Sequence, residues 1–159
     1  MSPALSPLDP REFFARPWTG EGEWVPRPAL RRLPGPRQLR FESSTTWLTD
    51  DLWLVHDTTT WEDGRVERRD GIAKLTAPDR IRFTYDDMPG GTEIALRADG
   101  FDFEPYTMLV ALAPLPVPLH LRALDRCRWD PAAGVLSDTI ELSLAGIPLG
   151  RQEISLRPA

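Results

Sequence analysis

The sequence predicts an all-β protein, a single antiparallel up-and-down β-barrel of about 8–10 strands behind a proline-rich N-terminal arm. Three observations predict it. Side chains alternate in character at two-residue spacing almost without a break from Trp18 to Leu156, which is the period of a strand. Turn-forming residues recur at roughly 8–12-residue intervals, and no linker divides the chain into two cores. Residues 17–24, PWTGEGEW, set Trp18, Gly20, Gly22 and Trp24 on one side of a strand. A face that mixes the largest side chain with none suits a sheet coiling tightly enough to close. A Greek-key sandwich would share the spacing, but successive hairpin connections favour closure, which removes exposed edges.

The elements follow in order. Residues 1–17 form the arm, with one helical turn expected at Pro10–Ala15 to set Phe13 and Phe14 on the body; residues 18–159 form the barrel. After the first strand, PRPALRRLPGP reads as a loop or lid. QLRFESSTTW places Leu39, Phe41, Ser43, Thr45 and Trp47 on one face, and LWLVHDTTTW follows the Asp50-Asp51 turn with apolar residues on both faces. In WEDGRV, Asp63-Gly64 is a favoured hairpin turn between β-rich segments. VERRDGIAKLT, DRIRFTY, TEIALRA, FDFEPYTMLVAL, LHLRALDRCRW, VLSDTIELSLA and RQEISL continue as strands. Turns are expected at Ala77–Asp79, Pro89–Gly91, Asp99-Gly100, Asp130–Gly134 and Gly146–Gly150.

Composition narrows the partners. At 159 residues, 41% hydrophobic and 27% charged, the chain has the length and balance of one globular domain. A formal charge of −5 argues against nucleic acid or an anionic membrane as partner. Lys74 is the only lysine among 19 basic residues, a bias that points to G+C-rich coding rather than to function. Cys127 is the single cysteine, so no intrachain disulfide forms. MSPALSPLDPREFF has neither the charged nor the apolar region of a secretory signal, and the longest apolar run, MLVALAPLPVPL, is broken by Pro114, Pro116 and Pro118. A cytoplasmic location is the expectation.

FFARPWTGEGEW, the E-D-G-R hairpin after an aromatic strand and the closing AGVLSDTIELSLAGIPLGRQEISL resemble a lipocalin-like (calycin) barrel. More narrowly, they resemble a bacterial family of that type known as a domain of unknown function. The resemblance spans about Phe13 to Leu156 and implies a container without defined chemistry. W-x-G-x-G is also similar to the opening of the nitrobindin-like haem barrels, which hold iron through a histidine near the C-terminus. Residues 130–159 contain no histidine, and the last one is His120. No cofactor is therefore expected.

Candidate site residues come from the strand faces. His120, Arg122, Arg126 and Arg128 share one face of LHLRALDRCRW and would form a cationic socket for a carboxylate or phosphate if they pointed inward. The opposite face, with Leu119, Leu121, Ala123, Cys127 and Trp129, is the more apolar; turning it inward buries Asp125, whose desolvated carboxyl could serve as an acid or base. His56 shares a face with Leu52 and Leu54 and is either a wall residue or a ligand-binding group. Tyr85 and Tyr106 could hydrogen-bond a ligand's polar end or anchor their own loops. Trp18, Trp24 and Trp53, with the other three tryptophans, could pave a cavity or plug one end of the barrel. Asp50-Asp51, Glu62-Asp63 and Asp86-Asp87 fall at turns, where Asp accepts backbone hydrogen bonds without an ion. No HxH or CxxC spacing supports a metal site, and no GxSxG, P-loop or GxGxxG is present.

Three functions fit. The first is binding of a small apolar or amphipathic molecule inside the barrel. The second is a cofactor-independent isomerase, cyclase or hydratase using the same cavity, with Asp125, His56 and Tyr106 as candidate catalytic groups. The third is a filled structural or interaction barrel, with MLVALAPLPVPL as an exposed patch through which a homodimer could form.

Overall fold

The computed structural model describes residues 8–111 and 115–159. A short helix, α1 (Pro10–Phe14), is followed by β1 (Trp18–Pro26), β2 (Gln38–Trp47), β3 (Leu52–Trp61), β4 (Val66–Ala77), β5 (Arg80–Tyr85), β6 (Thr92–Arg97), β7 (Gly100–Phe103), β8 (Tyr106–Val110), β9 (Leu119–Asp130), β10 (Val135–Leu144) and β11 (Ile147–Pro158). Strands pair antiparallel in chain order from β1 to β7; β7 passes to β9, then β10 and β11, and β11 returns to β1. The result is a closed antiparallel barrel of 10 strands with one extra, the all-β class the alternation predicts.

Closure depends on β1. Gly20 stands opposite Phe41 of β2 and Leu156 of β11, so it lies at the seam. A Cβ on Gly20 would stand 2.0 Å from the Ser155 carbonyl oxygen, and one on Gly22 would stand 2.4 Å from that of Glu153. The two strands approach more closely than any side chain permits, which is why the tryptophan-bearing face is interrupted by glycine.

Two expected boundaries shift. FDFEPYTMLVAL is not one strand but two, because Pro105 has no N–H to give the ladder. β7 pairs with β9 at residues 126–128 and β8 at residues 119–123, so together they form one interrupted edge of β9. The last turn comes early: Ala145 (φ 48°) and Gly146 (φ 81°) are both left-handed and make a two-residue hairpin, while Gly150 lies within β11.

Alternation separates core from surface. Trp53, Ile81, Phe83, Ala123, Leu136 and Leu156 are buried in the bore, while the intervening positions carry exposed Glu21, Arg40, Arg82, Arg126 and Arg157. Among the described residues no helix is long and apolar enough to cross a membrane.

The barrel's two ends differ. At one, α1 lies across the opening: the Leu8 amide donates to the Arg97 carbonyl at 3.0 Å, and the Thr45 hydroxyl donates to the Phe14 carbonyl. At the other, β4 and β5 pair only from Gly71↔Tyr85 onward, leaving residues 66–70 without a strand partner on that side, and β8 pairs with β9 alone. The β5–β6 turn bridges these free edges, with Asp86 N–H donating to Asp70 O and Leu109 N–H to Asp87 O. The segment MLVALAPLPVPL crosses residues 112–114, which lie outside the described residues. Of its flanks, Met108 turns into the bore, while Leu115 and Val117 are exposed.

Candidate functional site

The bore holds a cavity of about 170 Å³. That is close to the ~150 Å³ cavity known to accept one benzene ring and below the ~300 Å³ at which drug-sized pockets begin. Its floor, under α1, is aromatic. The Trp18 indole N–H donates to the Phe13 carbonyl at 3.1 Å, and the Phe13 ring lies 4.7 Å from Trp18 and 5.8 Å, edge-on, from Phe101. Trp53 stacks on Trp47 at 4.5 Å and on Phe14 at 5.7 Å. Trp18 and Trp53 line the cavity at the helix end, with Trp47 stacked on Trp53 outside the lining. Trp61, Glu67, Arg69 and Met108 line the cavity toward the open end.

Two polar groups interrupt the apolar wall. The first spans β3, β4 and β5, where alternation turns Asp57, Arg69 and Tyr85 inward and register sets Asp57 opposite Arg69. The Tyr85 hydroxyl donates to Asp57 Oδ2, and Asp57 Oδ1 is buried without a partner. Burial raises the Asp57 pKa, opposed by the hydroxyls of Ser43 and Tyr85 and by the Arg69 charge. Arg69 lies 3.7 Å over the Tyr85 ring and donates to Asp87 Oδ1 at 2.7 Å. Burial works against the guanidinium charge, but Tyr85 and Asp87 more than offset it and raise its pKa.

The second group spans β8, β9 and β10. Asp125 and Cys127 are two residues apart on the inward face of β9, and Asp138 of β10 is paired with Cys127. The Tyr106 hydroxyl donates to Asp125 Oδ2 at 3.1 Å, and Cys127 Sγ lies 4.0 Å from Asp125 Oδ1. Asp138 Oδ1 is buried and unpartnered. Burial raises the Asp125 pKa well above the usual range, and the neighbouring Asp138 raises it further. Burial also pushes Asp138 up to about 6, partly offset by its contacts with Asp125 and Cys127. Two carboxyls within 4.8 Å of one another, Asp125 buried and Asp138 partly so, cannot both ionise readily without a counter-charge, so this pair holds a proton where a lone surface Asp would not.

The residues singled out from the sequence divide by face. Trp18, Trp53, Tyr85 and Asp125 line the cavity, and Tyr106 is buried against Asp125. Trp24 lies outside the lining, near Gly150, where a Cβ would stand 2.8 Å from its ring. His56, His120, Arg122 and Arg126 do not belong to the site: the alternation of β3 and β9 turns them to the outer wall. His56 Nδ1 lies 2.7 Å from Asp70 Oδ1 on that outer surface, and no cationic socket forms in the bore among the described residues. Asp57, Arg69 and Asp138 were not singled out from the sequence. The parity signal was present for Asp57 in Trp53, Val55, Thr59 and Trp61, and for Asp138 in Leu136, Ile140 and Leu142.

Asp125, Cys127 and Asp138 offer ligand atoms within 4.8 Å of one another, close enough to ring a small cation, a juxtaposition that pair-spacing motifs do not reveal. Burial favours the protonated form of all three, whereas a metal needs them deprotonated. Haem does not fit. Both histidines face outward, and the cavity has room for about one ring rather than a tetrapyrrole.

No protein-family model and no curated protein matches the chain. A de novo designed fluorescence-activating β-barrel aligns at 12% identity over 96% of this chain and 99% of its own, with a TM-score of 0.40. The crystal structure of Rv2717c from M. tuberculosis aligns over 92% of each chain at 14% identity, with a TM-score of 0.58, a likeness of fold alone.

Proposed function

We propose that the protein is a lipocalin-like container that binds one small apolar or amphipathic molecule, about the size of a substituted single ring, in its bore. The carrying observation is the combination of free volume with unmet polar valences. A cavity of about 170 Å³ is lined mainly by aromatic and aliphatic side chains, yet Asp57 Oδ1, Asp138 Oδ1 and the indole N–H of Trp53 and Trp61 are buried there without partners. Buried polar atoms ordinarily find a hydrogen-bond partner in the protein, in ordered water or in a ligand. Groups that orient a guest inside an apolar pocket have this character. The charged outer wall suits the cytoplasm.

Two measurements test the reading. Native mass spectrometry of the protein from its own host should show a co-purifying small molecule, and single-ring aromatics should quench tryptophan emission saturably at one site. A chain that carries nothing and whose emission no such probe changes would return the barrel to a structural role. A second reading, an isomerase, cyclase or hydratase, draws on the Asp125–Asp138 pair, which could hold and return a proton beside a bound substrate. It predicts turnover of the recovered molecule that Asp125→Asn abolishes while binding persists.

A further inference from the structure

Resting on the reading of the bore as a binding site, we propose that its ligand class is a small aromatic or arylalkyl amine, bound as the ammonium ion between Asp57 and the Asp125–Asp138 pair. The charge inventory of the wall points there. Asp57, Glu67, Asp125 and Asp138 line the cavity, and Arg69 is its one basic residue among the described residues. Arg69 donates to Asp87 at 2.7 Å and covers the face of Tyr85, while its Nε–H is buried without a partner. Glu67 is exposed beside Arg65, Arg69 stands opposite Asp57, and Asp125 keeps its proton, so Asp138, at about 6, is the bore carboxyl that ionises near pH 7.5 without a cation set against it among the described residues. Asp57 and Asp138 each keep one oxygen buried and unpartnered, and both line the same cavity.

An ammonium ion has three donors and no acceptor, which matches the unpartnered oxygens of Asp57 and Asp138, while the unpartnered N–H groups of Trp53, Trp61 and Arg69 are left to an acceptor elsewhere on the guest. A carboxylate or phosphate ligand would meet like charge in the same place, so the anionic class is disfavoured by the wall that excludes it. The walls supply the other half of the ligand: Trp53, Phe83, Phe101 and Phe103 give a ring its contacts. The volume limits the guest to about one ring with a short amino arm.

Matched probes test this in the wild-type protein at about pH 7.5, using calorimetry for affinity and tryptophan emission as a second readout. Benzylamine is an ammonium ion at that pH; benzyl alcohol has nearly the same shape without charge, and benzoate reverses the charge. Benzylamine should bind about tenfold or more tightly than benzyl alcohol, and benzoate should not bind. Asp138→Asn and, independently, Asp57→Asn should each bring benzylamine within about threefold of benzyl alcohol. Equal affinity for the two probes in the wild type, or tighter binding of benzoate, overturns the amine assignment and leaves the cavity reading standing. Absence of binding by all three probes and by toluene overturns the cavity reading as well. If one Asn variant fails to fold, the other variant and the wild-type comparison still decide.

Discussion

Replacing Asp138 by Asn should make the protein more stable at neutral pH, although it removes a buried polar contact. In the folded chain burial pushes the Asp138 pKa from 3.8 up to about 6. A folded-state carboxyl with a raised pKa binds more protons than its unfolded counterpart, so stability falls as pH climbs from about 4 to about 6. Above that window the penalty is complete; below it both states are protonated and the penalty vanishes. A shift of about two pKa units at ~1.4 kcal/mol per unit gives about 3 kcal/mol. Asparagine keeps the shape, does not ionise, and can still donate to Asp125. The variant should therefore exceed the wild type by up to about 3 kcal/mol at about pH 7.5, a rise of about 1–2 M in urea midpoint, with the gap closing near pH 4. Urea denaturation followed by tryptophan emission at about pH 4, 5, 6 and 7.5 measures it. The subtraction isolates this group from Asp51 and Asp102, whose lowered pKa values act in the opposite sense in both proteins. A difference that stays constant across that range would show that Asp138 is not desolvated, and the account of the polar pair would fall with it.

Gly20→Ala puts a Cβ 2.0 Å from the Ser155 carbonyl oxygen at the β1–β11 seam, so it should lower stability by about 3 kcal/mol or more, read as a fall in urea midpoint; a neutral outcome would mean the seam is not tightly closed. Phe13→Ala removes a buried ring that contacts Trp18, Phe101 and Trp129, and should cost about 3–5 kcal/mol while opening the helix end to acrylamide quenching of tryptophan. Tyr85→Phe strips Asp57 of its hydroxyl donor and should destabilise the chain by about 1–3 kcal/mol, more at about pH 8 than at about pH 5, because burial penalises the charged form of Asp57. His56→Ala and Arg122→Ala change only the outer wall, so each should stay within about 0.5 kcal/mol of the wild type and bind benzylamine equally well; a loss of affinity in either would contradict the assignment of strand faces.

Alternation and turn chemistry made the barrel legible, because both are local. WEDGRV closes as a hairpin with Gly64 at φ 86°, and the glycines of PWTGEGEW mark the seam. What was lost depended on parity and register. β3 begins LWLV, apolar on both faces, so the inward set could be Leu52 and Leu54 with His56, or Trp53 and Val55 with Asp57; the wider tryptophan face prevailed and took Asp57 inside. In β10 the run Ser137-Asp138-Thr139 is polar at three successive positions and hides the parity that Leu136 and Ile140 carry. Asp125 was readable because Leu121, Ala123 and Cys127 surround it at strand spacing. Its partnership with Asp138 was not, since that requires the β9–β10 register, which no single strand specifies.

The polar groups of the bore are the residues the fold needs least. A closed barrel with Trp53, Ile81 and Leu156 inside would be steadier with a neutral side chain in place of Asp57 or Asp138, because each buried carboxyl is disfavoured by desolvation. The unpartnered oxygens of Asp57 and Asp138 add to that burden, and folding alone offers no return for it. Sequences keep such departures from local stability where a site needs them, since most proteins can reach greater stability through a few substitutions. A guest that supplies donors to those oxygens would offset the desolvation and convert a weakness of the fold into affinity. Stability and binding should therefore move in opposite directions across Asp57→Asn and Asp138→Asn. That opposition separates a binding bore from a wall that merely tolerates two acids.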